Sequence, residues 1–246
     1  LPFTLCQGLQ AHQQPLMASP ARLHKQREAA RAAAERAAVE ETPVRGSAHE
    51  LALAQLAQDK RQLKEIQSTE RRQERKAELM AENWNAYIDG ALAADSGAHD
   101  PVISQMLPWC FDVGDIERAL RVGDYLVRHD LPAPESFARS APAVFAEMAA
   151  EAWLKTPDGV IPPISALQLG DVLETISGHD MVDEILAKLH RALGEALYSE
   201  GDNERALTHL RRAVELNPKV GAKPMITKIE KEVAEQEAAA PPLTQP

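Results

Sequence analysis

Cysteine is nearly absent: Cys6 and Cys110 are the two in 246 residues. Two thiols cannot build a disulfide framework, which points to a reducing, intracellular compartment. Aromatic residues make up 4% of the chain, and alanine is abundant. That balance suits helices packing closely through small side chains. No apolar run approaches the roughly 20 residues of a membrane span. No alternating strand pattern stands out, so the expected fold is nearly all α. The motifs HExxH, CxxC and GxSxG are missing, as is a phosphate-cradling glycine loop, which removes the common signatures of hydrolases and nucleotide-driven motors.

Charge is plentiful but uneven. From Met17 to Met80 there are 13 Lys+Arg against 10 Asp+Glu, a net of +3; from Ala81 onward there are 14 against 27, a net of −13. A basic-leaning front on an acidic body is the distribution of a chain that meets nucleic acid at one end and protein at the other.

One sentence of the sequence is written twice. Gly114-Asp115-Ile116-Glu117-Arg118-Ala119-Leu120 returns as Gly201-Asp202-Asn203-Glu204-Arg205-Ala206-Leu207, six of seven residues identical. Glycine frees the turn backbone, aspartate caps a first helical turn, and Ala-Leu begins a buried stripe. A repeated turn-plus-helix unit marks stacked helical hairpins, an architecture that builds binding surfaces.

The chain divides as follows. Residues 1–16 carry no Asp, Glu, Lys or Arg and read as a leader or scar ahead of Met17. Residues 17–47 read as a basic, partly disordered arm and linker. Ser19-Pro20 starts a helix, and Arg22, Lys25, Arg27, Arg31 and Arg36 follow with almost no large apolar residue. Such a helix has nothing to anchor it and would firm up on binding. Residues 48–94 read as a long helical, oligomerising region. Leu56, Leu63, Ile66, Ala77 and Met80 keep a coiled-coil-like spacing, interrupted at Glu70 and Gln73. On that helix Lys60, Arg61, Lys64, Arg71, Arg72 and Arg75 fall within an arc of about 120°. Trp84, Tyr87, Ile88 and Leu92 form a docking patch. Residues 95–236 are a helical-repeat body, and 237–246 a disordered tail.

Within the body, residues 187–220 match the tetratricopeptide pattern: Leu193-Gly194, Leu197, Ala206, Leu210, Ala213 and Pro218, with His190 and Leu197 where the pattern prefers aromatics. Lys223 to Gln236 would supply a capping helix. Cys110, between Trp109 and Phe111, reads as a core residue, and His209 as exposed.

Candidate chemistry is sparse. His49, His99, His129, His179, His190 and His209 lack metal-ligand spacing. Asp89, Asp95, Asp100, Asp112 and Asp115 are the one acidic group that two-metal nuclease chemistry could use, although Asp100 and Asp115 also suit helix caps. Neither catalytic nor metal-binding residues are assigned, and no cofactor is expected. The DNA-binding candidates are Arg22, Lys25, Arg27, Arg31, Lys60, Lys64, Arg71, Arg72 and Arg75, since phosphate contact requires cations that reach a duplex.

With these residues in view, the chain resembles the small terminase subunits of peduovirus-type tailed temperate phages. The resemblance rests on Met17-Ala-Ser-Pro-Ala-Arg-Leu-His24, Asp59-Lys-Arg-Gln-Leu-Lys-Glu-Ile66, Leu107-Pro-Trp109 and Asp112 through Leu120. It continues through Pro142-Ala-Val-Phe145, Met181-Val-Asp-Glu184, Ala187-Lys-Leu-His190 and Gly201 to Ala213. It implies a DNA-packaging subunit in the bacterial host cytoplasm, assembling as a homo-oligomeric ring. The ring would bind double-stranded phage DNA and present it to a large subunit carrying the ATPase. Members of this branch are also labelled the endonuclease subunit of terminase. No helix-turn-helix is recognisable. Three readings follow: a non-catalytic DNA-recognition subunit, a magnesium-dependent endonuclease using Asp112, Asp115 or Asp100, and a helical-repeat adaptor without a DNA role.

Overall fold

The computed structural model describes residues 19–39 and 46–239. The expected leader, most of the linker and the end of the tail lie outside these residues. Among the described residues there are eleven α-helices, one π-helical turn and no strand. The first four helices are α1 (Pro20–Val39), α2 (Ser47–Glu65), α3 (Thr69–Leu79) and, after the π turn Met80–Trp84, α4 (Asn85–Ala94). Next come α5 (Pro101–Asp112), α6 (Ile116–Arg128), α7 (Ala141–Leu154) and α8 (Ala166–Thr175). The chain closes with α9 (Asp183–Ser199), α10 (Asn203–Leu216) and α11 (Lys223–Ala239). One core cluster runs through α1 to α11, from Ala30 to Ile229. No helix among the described residues is long and apolar enough to cross a membrane.

The twice-written sentence folds the same way both times. Gly114 and Gly201 hold φ of 76° and 85°, a left-handed region that a side chain would strain. The next amide reaches back five residues, Asp115 N to the Cys110 carbonyl at 2.9 Å and Asp202 N to the Leu197 carbonyl at 3.0 Å. This closes α5 and α9 in the same manner. Each aspartate then caps the following helix: Asp115 Oδ1 accepts from Arg118 N at 3.1 Å, and Asp202 Oδ1 from Arg205 N at 3.0 Å. Ala119 and Ala206 are fully buried. The two hairpins α5–α6 and α9–α10 are the result.

The long helix expected within residues 48–94 is broken. Ile66 is extended at φ −82°, ψ 113°, and Ser68 caps α3 by accepting from Arg71 N at 3.3 Å. A serine that bonds forward to its own backbone competes with helix continuation. Glu70 and Gln73, which interrupt the apolar seam, remove the packing that would have opposed the break. The 120° basic arc on one rod does not exist, because its members sit on two helices.

The N-terminal helix is anchored, contrary to the expectation of a free arm. Ala30, Ala33, Ala34 and Ala37 are buried, and α1 packs along α4. Gly90 makes the approach possible: a methyl there would overlap the Arg27 carbonyl. Arg22 Nη2 donates to Asn83 Oδ1 at 3.0 Å, and Gln26 Nε2 donates to the Asn83 carbonyl. Asn83 lies in the π turn, where the altered bonding register frees a carbonyl for such a partner.

Buried polar pairs lock α2 to the body. Trp84 Nε1 donates to Asp59 Oδ2 at 3.0 Å, and Gln55 Nε2 to Asp59 Oδ1 at 2.6 Å. Tyr87 OH donates to Asp100 Oδ2 at 2.8 Å and lies 3.1 Å from His49 Nδ1. Asp100 also caps α5 through Val102 N at 2.8 Å, and burial raises its carboxyl pKa above the ordinary value. Cys110 is fully buried, which pushes its thiol up to about 12; the core assignment holds.

Candidate nucleic-acid interface

The nine sequence-predicted cations divide by what they touch. Arg22 is spent on Asn83. Lys60 donates to Gln105 Oε1 at 3.0 Å, tying α2 to α5. Arg72 closes the end of α2, its Nε and Nη2 donating to the Ile66 carbonyl at 3.0 and 2.6 Å. Arg75 pairs with Glu78 at 2.7 Å and Glu82 at 3.6 Å. These four are taken up by the fold. Lys25, Lys64 and Arg71 are exposed and make no ion pair among the described residues. Arg27 and Arg31 are half-exposed, with Glu28 at 3.6 Å and Glu35 at 2.8 Å as their neighbours along α1.

The structure also recruits cations that sequence spacing did not connect. A cleft of 340 Å³ at the junction of α1, α4 and α6 is lined by Arg27, Arg31, Arg118 and Arg121, together with Glu28, Asp89 and Gly90. Arg118 comes from the repeated motif, and its copy Arg205 is exposed in the second hairpin. The repeat made Arg118 visible as a pattern residue, but no local signal places it beside α1.

Of the five aspartates only Asp89 and Asp115 meet, on two nitrogens of the Arg118 guanidinium. Asp89 faces Arg121 at 3.2 Å and Arg118 at 3.5 Å. Hydrogen bonds from His129 and Arg128 hold the Asp95 carboxyl below its usual range. Asp100 is buried under Tyr87, Asp112 pairs with Lys76, and Asp115 caps α6 and pairs with Arg118. Among the described residues no three His, Cys, Asp or Glu side chains gather as metal ligands.

His209 is not the exposed residue that the pattern suggested. It stacks on His190 across the α9–α10 hairpin, rings 5.3 Å apart and Nδ1 atoms at 3.0 Å. Burial is the main cause that lowers both imidazoles: His190 falls to about 4, with the His209 ring and Arg212 adding to its shift, and Arg205 adds to that of His209.

A model of the phage small terminase subunit family matches residues 53–184, a stretch that begins in α2 and ends at the start of α9. The chain belongs to this family. The "Terminase, endonuclease subunit" of Escherichia phage P2 is 34% identical over 218 residues, covering 88% of this chain and 86% of that protein. No solved structure matches.

Proposed function

We propose that this small terminase subunit binds double-stranded phage DNA without cutting it and brings it to the large, ATPase-bearing subunit for packaging in the host cytoplasm. The observation that supports this is the distribution of available cations. Lys25, Arg27, Arg31, Lys64 and Arg71 remain exposed on α1 to α3, while the chain as a whole has a net charge of −10. Because α1 is docked, its cations are presented on an ordered helix, so less ordering entropy is lost on binding than for a loose arm. The α9–α10 hairpin, with α11 over its end, is read as a tetratricopeptide-like platform for partner protein. The α2–α3 region serves assembly of a homo-oligomeric ring.

Fluorescence anisotropy of the full chain with a duplex probe across a salt series tests this. Each phosphate neutralised contributes about −0.9 to the slope of log K against log salt, so Lys64→Gln with Arg71→Gln should reduce that slope by about 2. Absence of binding at low salt would remove DNA from the account and leave the adaptor.

The name of the phage P2 relative favours a second reading, an endonuclease. Under that reading the purified chain nicks supercoiled plasmid with magnesium, and Asp112→Asn abolishes the nicking. Only Asp89 and Asp115 meet, with the Arg118 guanidinium between them, and Asp95, Asp100 and Asp112 are held by other partners; this supports the opposite result, intact plasmid from the small subunit alone.

A further inference from the structure

Two clefts meet along the seam between α1 and α4. One, of 430 Å³, is lined by His24, Arg27, Asn85 and Asp89 among others, and the other is the 340 Å³ arginine cleft. They share Arg27 and Asp89, so they form one groove that ends against α6. His24, Arg27 and Arg31 follow at i, i+3 and i+7, one face of α1, and cover about 10 Å of its length at 1.5 Å per residue. Arg118 and Arg121 project from the opposite wall.

Two buried polar atoms belonging to groove-lining residues have no partner among the described residues: Asn85 Oδ1 and Arg118 Nε. Most buried polar groups are satisfied, and of three such orphans among the described residues two belong to side chains that line this groove, the third, Gln26 Oε1, lying outside it. Amide oxygen and nitrogen are interchangeable by a half-turn, so Asn85 can present a donor. Arg118 is also placed against local preference, since a cation in a first helical turn opposes the helix dipole. In its copy, Arg205 has Asp202 at 3.6 Å as its ion pair and is exposed. In the groove Arg118 instead spans Asp115 and Asp89.

We infer that this groove takes the phosphodiester backbone of one DNA strand, with Arg27, Arg31, Arg118 and Arg121 as the phosphate-binding side chains. The inference rests on the DNA-binding reading and adds α6 to the interface. Phosphate suits it better than an acidic peptide does. The cations stand on both walls of the groove, so a run of phosphates lying along it meets arginine from either side, and arginine forks bind phosphate oxygens in pairs. Asp89 pairs with Arg121 at 3.2 Å and Arg118 at 3.5 Å, while Glu28 and Glu35 pair with Arg27 and Arg31 along α1.

The test is duplex-binding anisotropy of the full chain over a salt series. Arg27→Gln with Arg121→Gln changes two half-exposed residues on separate helices and should leave the thermal midpoint near wild type. It should reduce the salt slope by about 2 and weaken binding at least tenfold at low salt. Arg27→Lys with Arg121→Lys keeps the charges and should restore the slope. Wild-type binding with an unchanged slope in the Gln pair overturns the groove while leaving DNA binding to Lys64 and Arg71. No binding by wild type overturns the DNA reading itself. Tighter binding of a labelled oligoglutamate than of the duplex assigns the groove to an acidic protein segment and overturns the inference.

Discussion

Gly90→Ala should lift α1 off α4 even though it replaces a helical glycine with the best helix former. Propensity alone favours alanine by about 1 kcal/mol. Against it, the new methyl would overlap the Arg27 carbonyl oxygen and lie 2.9 Å from its carbon and 3.0 Å from Arg27 Cα. All three are backbone atoms, so no rotamer relieves the overlap, and overpacking of this kind costs about 1–3 kcal/mol. The attachment it opposes is weak. The buried methyls of Ala30, Ala33, Ala34 and Ala37 contribute about 3 kcal/mol at about 0.8 each, helped by Arg22 and Gln26 on Asn83. The clash cancels much of the attachment, so α1 should open from α4 far more often while the body stays folded. Hydrogen exchange along Pro20–Val39 should rise toward the rate of an isolated helix, and salt-dependent DNA binding should weaken. Gly170→Ala is the control: it too is helical, but nothing lies within 4 Å of its added methyl, so it should stabilise by about 0.5–1 kcal/mol. A Gly90→Ala protein as stable as wild type, with α1 amides equally protected, would refute the close-packing argument.

Three further outcomes are expected. His190 and His209 have lowered folded pKa values, so their neutral pairing supports the fold above the unfolded value of about 6.5. That support is lost as pH falls from there toward 4. Unfolding free energies from urea titration at pH 7 and pH 5 should differ by about 1 kcal/mol after allowance for partial solvent screening, and His190→Phe should shrink the difference. Arg205 and Arg212 face the pair and oppose its protonation. Asp115→Ala and Asp202→Ala each remove a cap and should cost about 1 kcal/mol in equilibrium unfolding, Asp115 more because its pair with Arg118 is less exposed than that of Asp202 with Arg205. Asp59→Ala leaves the Trp84 indole N–H without its acceptor inside the core. It should cost about 1–3 kcal/mol, read by urea titration with the shift in tryptophan emission as the local report.

The duplicated Gly-Asp sentence needed no tertiary knowledge, because its geometry is closed by local bonds: a glycine at positive φ, a five-residue return bond and an aspartate cap. The same locality made Ser19, Pro218 and the alanine-rich helix interiors readable, and the motif residues scattered from Met17 to Ala213 carried the family. The break at Ile66–Ser68 was half-legible. Ser68 and the polar Glu70 and Gln73 were there to be seen, but the competition between cap and seam is decided by what α2 and α3 pack against. Four of the nine proposed DNA cations proved to be fasteners within the fold. Spacing on one helix says which way a side chain points, not whether a carbonyl, an amide or a carboxylate from another helix waits there.

Sequence by itself therefore determined the helical content, the two matching hairpins, the uneven charge and the family, all set by residues near one another or by motif. Tertiary structure alone decided that α1 is docked, since a stripe of alanines anchors nothing until a glycine on another helix lets the backbones meet. It also decided that Arg118 and Arg121 stand across a groove from Arg27 and Arg31. Those pairs lie about ninety residues apart in the chain, and it is the packing of α4 between α1 and α6 that brings them to one place.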